Sequence, residues 1–378
     1  MGMGPTAWRN WRASLAADGF GSPQSEAVLY SDASFKGEHL ALGPYDVITT
    51  GVQNDLMTPA LVVRAESLIV DMPRLVDPTT RELIPADSTA YHGGTSLDEI
   101  AALISLSCGV RCRAGGTTRV WGLREDPYGS PVYWDMHPVR RPGPSDLEIL
   151  PLVPARIVTL ADEKELLLKF PRIAAGSAVA LIRAARLYSN ALWWSNEDPN
   201  FAWLQLVGAI EVAANRRRAR TPKGHEALQA LEERDSGLWE ALSGAADDVK
   251  ERVAGYMLPT LRVARKFEEF VTQFQPGPPE VRPSKYGQIE WDEMVSHMRI
   301  IYGHRNKALH DGTPFPNPML RPPDRDDRNN FCELPLGTSA SSGSSSWMAD
   351  QYPLTLQTFE YIVRESLKTW WAALSESA

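Results

Sequence analysis

Apolar residues change their rhythm near the middle of this chain, and the change predicts two kinds of structure. From about Ala27 to Pro73, runs such as AVLYSDASF, HLALG, YDVITTGV and ALVVRAESLIVDM gather β-branched and aromatic residues between Gly, Pro, Asn and Asp, the pattern of short strands separated by turns. SLDEIAALISLSCG then carries apolar residues at helical spacing, with Ser96 as the expected N-cap, Glu99 three residues on and Gly109 just past the end. In RCRAGGTTRVWGL, Gly115-Gly116 divides two extended runs and predicts a hairpin.

Between Met136 and Pro154 five prolines fall among nineteen residues, a density that no helix continues through and that suits a linker, so a domain boundary is expected near residue 155. Beyond it the period becomes helical. AAGSAVALIRAARLYSNALWW (174 to 194) places alanine and leucine at i, i+3, i+4 and i+7, and FAWLQLVGAIEVAANRRRAR repeats the pattern after the break SNEDPN. Further helices are expected over 225 to 255, 257 to 273, 290 to 310 and 354 to 375. Two loops separate them: QPGPPEVRPS, and a polar stretch from Pro314 to about Ala349 containing GTSASSGSSS, whose length and polarity predict a mobile segment. No repeat of 20 to 50 residues is visible. The expected architecture is α+β: a β-rich N-terminal domain over 1–154 ending in the Pro-rich linker, then an all-α helical bundle over 155–378 with a mobile loop at about 314–350.

Composition narrows the function classes. The 378 residues are 43% hydrophobic, enough for a real core. A formal charge of -8 argues against coating nucleic acid through bulk charge. It leaves room for a local basic site, and Arg216, Arg217, Arg218 and Arg220 form the densest basic cluster, as a solvated helix end or as holders of phosphate. Cys108, Cys112 and Cys332 make no disulfide framework and lack the second ligand pair of a structural zinc site. HExxH and paired CxxC are missing, so no metal or cofactor is expected; GxxxxGK[ST] and GxSxG are missing as well. With no apolar leader core and no run of about 18 apolar residues, a cytoplasmic protein without a membrane partner is expected. Twelve tryptophans, among them Trp193-Trp194 and Trp370-Trp371, sit in helical apolar patterns and are expected in the core or at a dimer interface rather than as base-stacking platforms.

One segment does not fit a plain bundle helix. GHRNKALHDG, residues 303 to 312, follows the apolar MRIIY and ends in the abrupt stop Asp311-Gly312. Arg305 and His310 are five apart, about 140° around a helix at about 100° per residue. Spacing alone suits a helix-terminal pair, His310 at the negative end of the dipole and Arg305 with an acidic partner. Asn306 beside Arg305 adds a third polar group. Glu211, in VGAIEVAAN, is a carboxylate on an apolar helix, as an edge position or as the group that faces the motif helix and orients Arg305. His304 is expected to face solvent more readily than to act as an extra catalytic group.

Arg305-Asn306-Lys307-Ala308-Leu309-His310 resembles the R-N-x-x-x-H signature of the HEPN superfamily (higher eukaryotes and prokaryotes nucleotide-binding), a helical fold found in many metal-independent ribonucleases of bacterial toxin and antiphage systems. ARLYSNALWW followed by FAWLQLVGAIEVAA is similar to the paired early helices of the Apea-like HEPN group, and IIYGHRNKALHDGTPFPNPM resembles the passage that carries its motif. The resemblance covers about residues 170 to 376. It implies RNA cleavage by 2'-OH attack, leaving a 2',3'-cyclic phosphate and a 5'-OH. His310 would serve as general base or acid, Arg305 would hold the scissile phosphate, Asn306 would orient one of them, and Glu211, His304 and Asp311 would support them. One motif per chain implies a homodimer, with two motifs facing one cleft. The N-terminal domain would then meet an activator or inhibitor. One HEPN subgroup carries a modifiable tyrosine two residues after the histidine; here that residue is Gly312, which disfavours such control. A non-catalytic HEPN-like module for dimerisation or nucleotide or RNA binding is the alternative.

Overall fold

A computed structural model of the chain describes residues 4–16, 23–37, 39–51, 58–68, 76, 79–83, 87–122, 127–132, 147–153, 156–216, 225–234 and 236–376. Its first part holds α1 (Thr6–Leu15), β1 (Ser25–Ser31), β2 (Ser34–Lys36), β3 (Leu40–Leu42), β4 (Tyr45–Thr49), β5 (Leu61–Ala65), α2 (Ser96–Cys108), β6 (Cys112–Val120) and β7 (Ser130–Pro131). The second part holds β8 (Ile157–Thr159), α3 (Lys164–Lys169), α4 (Ala175–Trp194), α5 (Pro199–Asn215), α6 (His225–Arg234), α7 (Ser236–Ala241), α8 (Asp247–Phe274), α9 (Met294–His310), β9 (Ser339–Ser342), β10 (Ser345–Met348) and α10 (Leu356–Ala373). The fold is α+β: an antiparallel six-stranded sheet of order β3-β4-β5-β1-β6-β7 in the first part, and mostly helices in the second.

The glycine pair in RCRAGGTTRV is not a hairpin turn. It lies inside the single strand β6, which runs antiparallel to β1 with Leu29 opposite Ala114 and Val28 opposite Gly116, so that Gly115 is the extra residue of a bulge. Gly116 adopts φ 101, and a Cβ on Gly115 would lie 2.1 Å from a ring carbon of Tyr30. The pair therefore serves a close approach of strand to ring. Gly115→Ala is expected to destabilise the fold by about 1–3 kcal/mol, read from the denaturation midpoint; an unchanged midpoint would count against this packing.

Helix α2 starts one residue earlier than expected. Thr95, not Ser96, is the N-cap, and it forms a capping box with Asp98. Glu99 is thereby released from capping its own helix. It is fully buried and accepts the backbone N–H groups of Thr6 at 2.9 Å and Ala7 at 2.7 Å at the start of α1, with His92 Nε2 at 2.7 Å. The carboxylate of one helix thus caps another, where the helix dipole favours it. Gly109 ends α2 in the left-handed conformation, as its sequence position implies.

The boundary expected at residue 155 separates the sheet from most of the helices, but not two cores. One cluster of buried side chains runs from Trp11, Leu61 and Leu103 to Tyr188, Trp203 and Trp371. The physical reason is α2: every residue from Glu99 to Cys108 is buried, since the helix packs on β6, α1 and α4 together. Most of the proline-rich stretch lies outside the described residues. Its end is packed, with Leu150 and Val153 buried and β8 pairing parallel to β2.

A buried arginine joins the two parts. Arg111, fully buried just before β6, donates through Nη1 to Asp32 Oδ2 at 2.6 Å, through Nε to the Leu192 carbonyl at 2.6 Å and through Nη2 to Ser195 Oγ at 2.8 Å. Leu192 and Ser195 lie at the end of α4, so the guanidinium fixes the sheet against that helix.

Two further expectations change. The helices foreseen over 225 to 255 and 257 to 273 divide instead as α6, α7 and one long α8, with the break at residues 242 to 246. The stretch from Pro314 to Ala349, whose composition predicts mobility, folds into defined structure. Phe315 is buried and stacks on Trp203 with ring centroids 5.2 Å apart. Asp326 accepts the backbone N–H groups of Ser284, Arg328 and Asn330, Glu333 binds Arg282 through both oxygens, and the serine-rich part forms the β9–β10 hairpin. The backbone of the serine-rich part is paired in this hairpin while most of its serine side chains stay exposed, so the order comes from pairing and from the anchors on either side. Trp193, Trp370 and Trp371 are buried, while Trp194 is 36% exposed and meets Phe201 edge-on.

Candidate functional site

Helix α9 positions the site through its own periodicity. Met294, Met298, Ile301 and Tyr302 form its buried stripe, and at about 100° per residue Arg305 falls within about 20° of Met294. The stripe ends on an arginine that faces α5. There Arg305 Nη2 donates to Glu211 Oε2 at 2.8 Å, and Tyr302 Oη donates to Glu211 Oε1 at 2.9 Å. Arg305 Nη1 donates to Asn306 Oδ1 at 3.1 Å, and the guanidinium carbon lies 5.4 Å from the centre of the Tyr302 ring.

The structure therefore brings together Arg305, Asn306 and Glu211. It adds Tyr302, which the sequence pattern places among core residues, although a tyrosine three residues before an arginine on one helix is a recognisable neighbour. Burial, and next the Glu211 carboxylate, hold the Tyr302 phenol above its ordinary value, so it stays protonated and donates. Arg305 and Glu211 side chains are 19% and 14% exposed, so the ion pair is largely removed from water.

His310 is the last residue of α9 and is exposed, about 140° around the axis from Arg305. Within one chain the two motif residues do not converge. The expected stop follows: Asp311 N–H bonds to the Lys307 carbonyl at 2.9 Å and Gly312 takes φ 68. Asp311 is exposed beside His310 rather than near the Arg305 cluster.

His304 is only partly exposed. Its Nε2 lies 2.7 Å from the Gln351 carbonyl, and its ring lies 5.7 Å from that of Phe315. The segment before α10 folds back over this side of α9, a path that no local pattern encodes. Burial lowers its pKa below the ordinary 6.5, against the opposing bond to Gln351. His297, earlier on α9, is also lowered, chiefly by burial. As pH falls from 7 to 5, the unfolded chain takes up protons at these two sites more readily than the folded one. Stability present above pH 6.5 is then lost, and thermal melts should show a lower midpoint at pH 5 whose difference shrinks in His304→Gln; an equal difference in the variant would contradict the assignment.

Of the basic cluster, Arg217, Arg218 and Arg220 lie outside the described residues. Arg216 donates to Ser177 Oγ at 3.4 Å and turns toward Gly176 in the first turn of α4, where it helps line a cavity of about 590 Å3 with Arg183 and Asn215. Among the described residues no group of three or more His, Cys, Asp or Glu is arranged to hold a metal ion, and no helix is long and apolar enough to cross a membrane. All three cysteines are free and buried, and burial pushes the Cys108 thiol up to about 12. No protein-family model, no curated protein and no solved structure matches this chain.

Proposed function

We propose that the chain is a metal-independent endoribonuclease of the HEPN type that acts as a homodimer, with a bacterial defence or toxin role and a site for an activator or inhibitor in its first 154 residues. The observation that carries this proposal is the Arg305 cluster. Glu211, Tyr302 and Asn306 hold a guanidinium at the end of α9, using two of the five N–H donors that an arginine has. The remaining three suit phosphoryl oxygens, which a planar fork can bind in pairs.

His310 supplies the proton transfer that a 2'-OH attack needs, since an imidazole can both accept and donate a proton. Its separation from Arg305 around the helix axis gives the dimer its purpose in this scheme. Two copies would present two histidines and two arginines to one RNA strand, so that one histidine takes the 2'-OH proton and the other protonates the leaving 5'-oxygen. The products are a 2',3'-cyclic phosphate and a 5'-OH. Asn306, bonded to Arg305, orients that residue rather than His310.

The same ion pair also favours a second reading, a non-catalytic module in which Arg305–Glu211 only clasps α9 to α5. Expression in growing bacteria separates the two. The nuclease should slow growth, and His310→Ala should relieve it; equal growth with both proteins would favour the binding module.

A further inference from the structure

A cavity of about 520 Å3 lies between α10, the segment before α9 and the end of the proline-rich stretch. No residue of α9 lines it, so its role is independent of the proposed nuclease. Its walls are apolar and aromatic: Trp291 and Tyr361 meet edge-on with centroids 6.2 Å apart, and Phe331 and Val281 complete them. Its floor is charged, and the charges are unevenly matched. Glu333 accepts from Arg282 Nε and Nη2 and from the Ile289 N–H, while Glu360 accepts from Tyr188 Oη and Arg364 Nε. These carboxylates already have their cations.

Arg156 has no such match. Its Nη1 donates to the Cys108 and Gly109 carbonyls, at 3.2 and 3.0 Å, and among the described residues no carboxylate forms an ion pair with it. Half-buried, it lies close to Arg364: a Cβ on Gly109 would meet Arg156 Nη1 at 2.4 Å and Arg364 Cδ at 2.8 Å. A second donor is unmatched as well, because the Trp291 indole N–H is buried and has no partner among the described residues. A recess with aromatic walls, a guanidinium bonded only to carbonyls among the described residues and a buried indole donor suits a ligand that is flat at one end and negative at the other.

We propose that this cavity binds a small aromatic anion, its ring among Trp291, Phe331 and Tyr361 and its phosphate or carboxylate at Arg156. The test is calorimetric titration of the full chain with adenosine 5'-monophosphate, indole-3-acetate, adenosine and inorganic phosphate. At least one aromatic anion binds, more tightly than adenosine or phosphate alone, and which one binds shows whether the anion is a phosphate or a carboxylate. Arg156→Gln and Trp291→Phe each weaken that binding at least about tenfold, in proteins whose folding is checked by circular dichroism. Val281→Glu places a negative charge on the exposed rim and also weakens it, which keeps the test decisive if Arg156→Gln fails to fold. Absence of binding by both aromatic anions, equal affinity for adenosine or phosphate alone, or unchanged affinity in Trp291→Phe and Val281→Glu would overturn the proposal.

Discussion

RNA cleavage by the proposed nuclease is expected to fall by at least about 100-fold when His310 is replaced by Ala, with the fold unchanged, because general acid–base catalysis by a placed side chain contributes on that scale. His310 is exposed at the end of α9, so its removal leaves no cavity and no buried partner. Arg305→Ala is expected to lose a similar factor, for a different reason and with a second signature. It removes the phosphate-binding cation and also leaves the largely buried Glu211 carboxylate without its ion pair. That should lower stability by about 1–3 kcal/mol, measured by urea unfolding. Arg305→Lys keeps the charge but not the planar fork, and should recover little of the activity. The contrast between the two positions is the informative part. A loss at Arg305 alone, with His310→Ala as active as the wild type, would point to the helix clasp.

The largest effect on stability is expected at Arg111. Arg111→Met removes a guanidinium that holds Asp32, the Leu192 carbonyl and Ser195, and strands the Asp32 carboxylate at 9% exposure. Breaking a buried pair from one side costs about 3–5 kcal/mol, and a midpoint of thermal unfolding lower by roughly 5 °C should follow. Because Arg111 links the strand end after β1 to the end of α4, sheet and helices should unfold together in the wild type and over a broader range in the variant. Asp32→Asn in the Arg111→Met background should restore part of the loss, since the stranded charge is then gone. Additive losses in the double variant would show that the two residues act independently.

Long elements with strong periodicity were legible in the sequence. The stripes in α4, α5, α9 and α10 repeat often enough that only a helix buries them, and their observed ends fall within a few residues of the expected ones. Elements set by distant partners were not legible. Gly115-Gly116 can make a turn or a bulge, and the choice depends on Tyr30 in another strand. Thr95 and Ser96 both offer a hydroxyl, and the cap went to the one paired with Asp98, because Glu99 is drawn to the start of α1. The serine-rich stretch after Pro314 has disorder-like composition, yet its anchors, Phe315 on Trp203 and Glu333 on Arg282, reach partners far away along the chain.

The candidate site divides in the same way. The Arg305 motif and Glu211 stand out as polar groups on apolar helices, and a single carboxylate on α5 has few cations it can meet. Tyr302 was hidden because a tyrosine within an apolar stripe also fits a plain core position. The turn of His304 toward Gln351 depends on the path of the chain before α10. In the proposed dimer a second copy would complete the site around His310, and no local pattern within one chain describes that.

The most direct measurement is incubation of the purified wild-type protein with total RNA in EDTA, followed by identification of the new RNA ends. Fragments carrying 2',3'-cyclic phosphates and 5'-hydroxyls, formed without added metal, are the expected products of a HEPN-type nuclease. Intact RNA, both with the protein alone and with extract of phage-infected cells added to supply an activator, or fragments ending in a 3'-OH and a 5'-phosphate, would refute that activity.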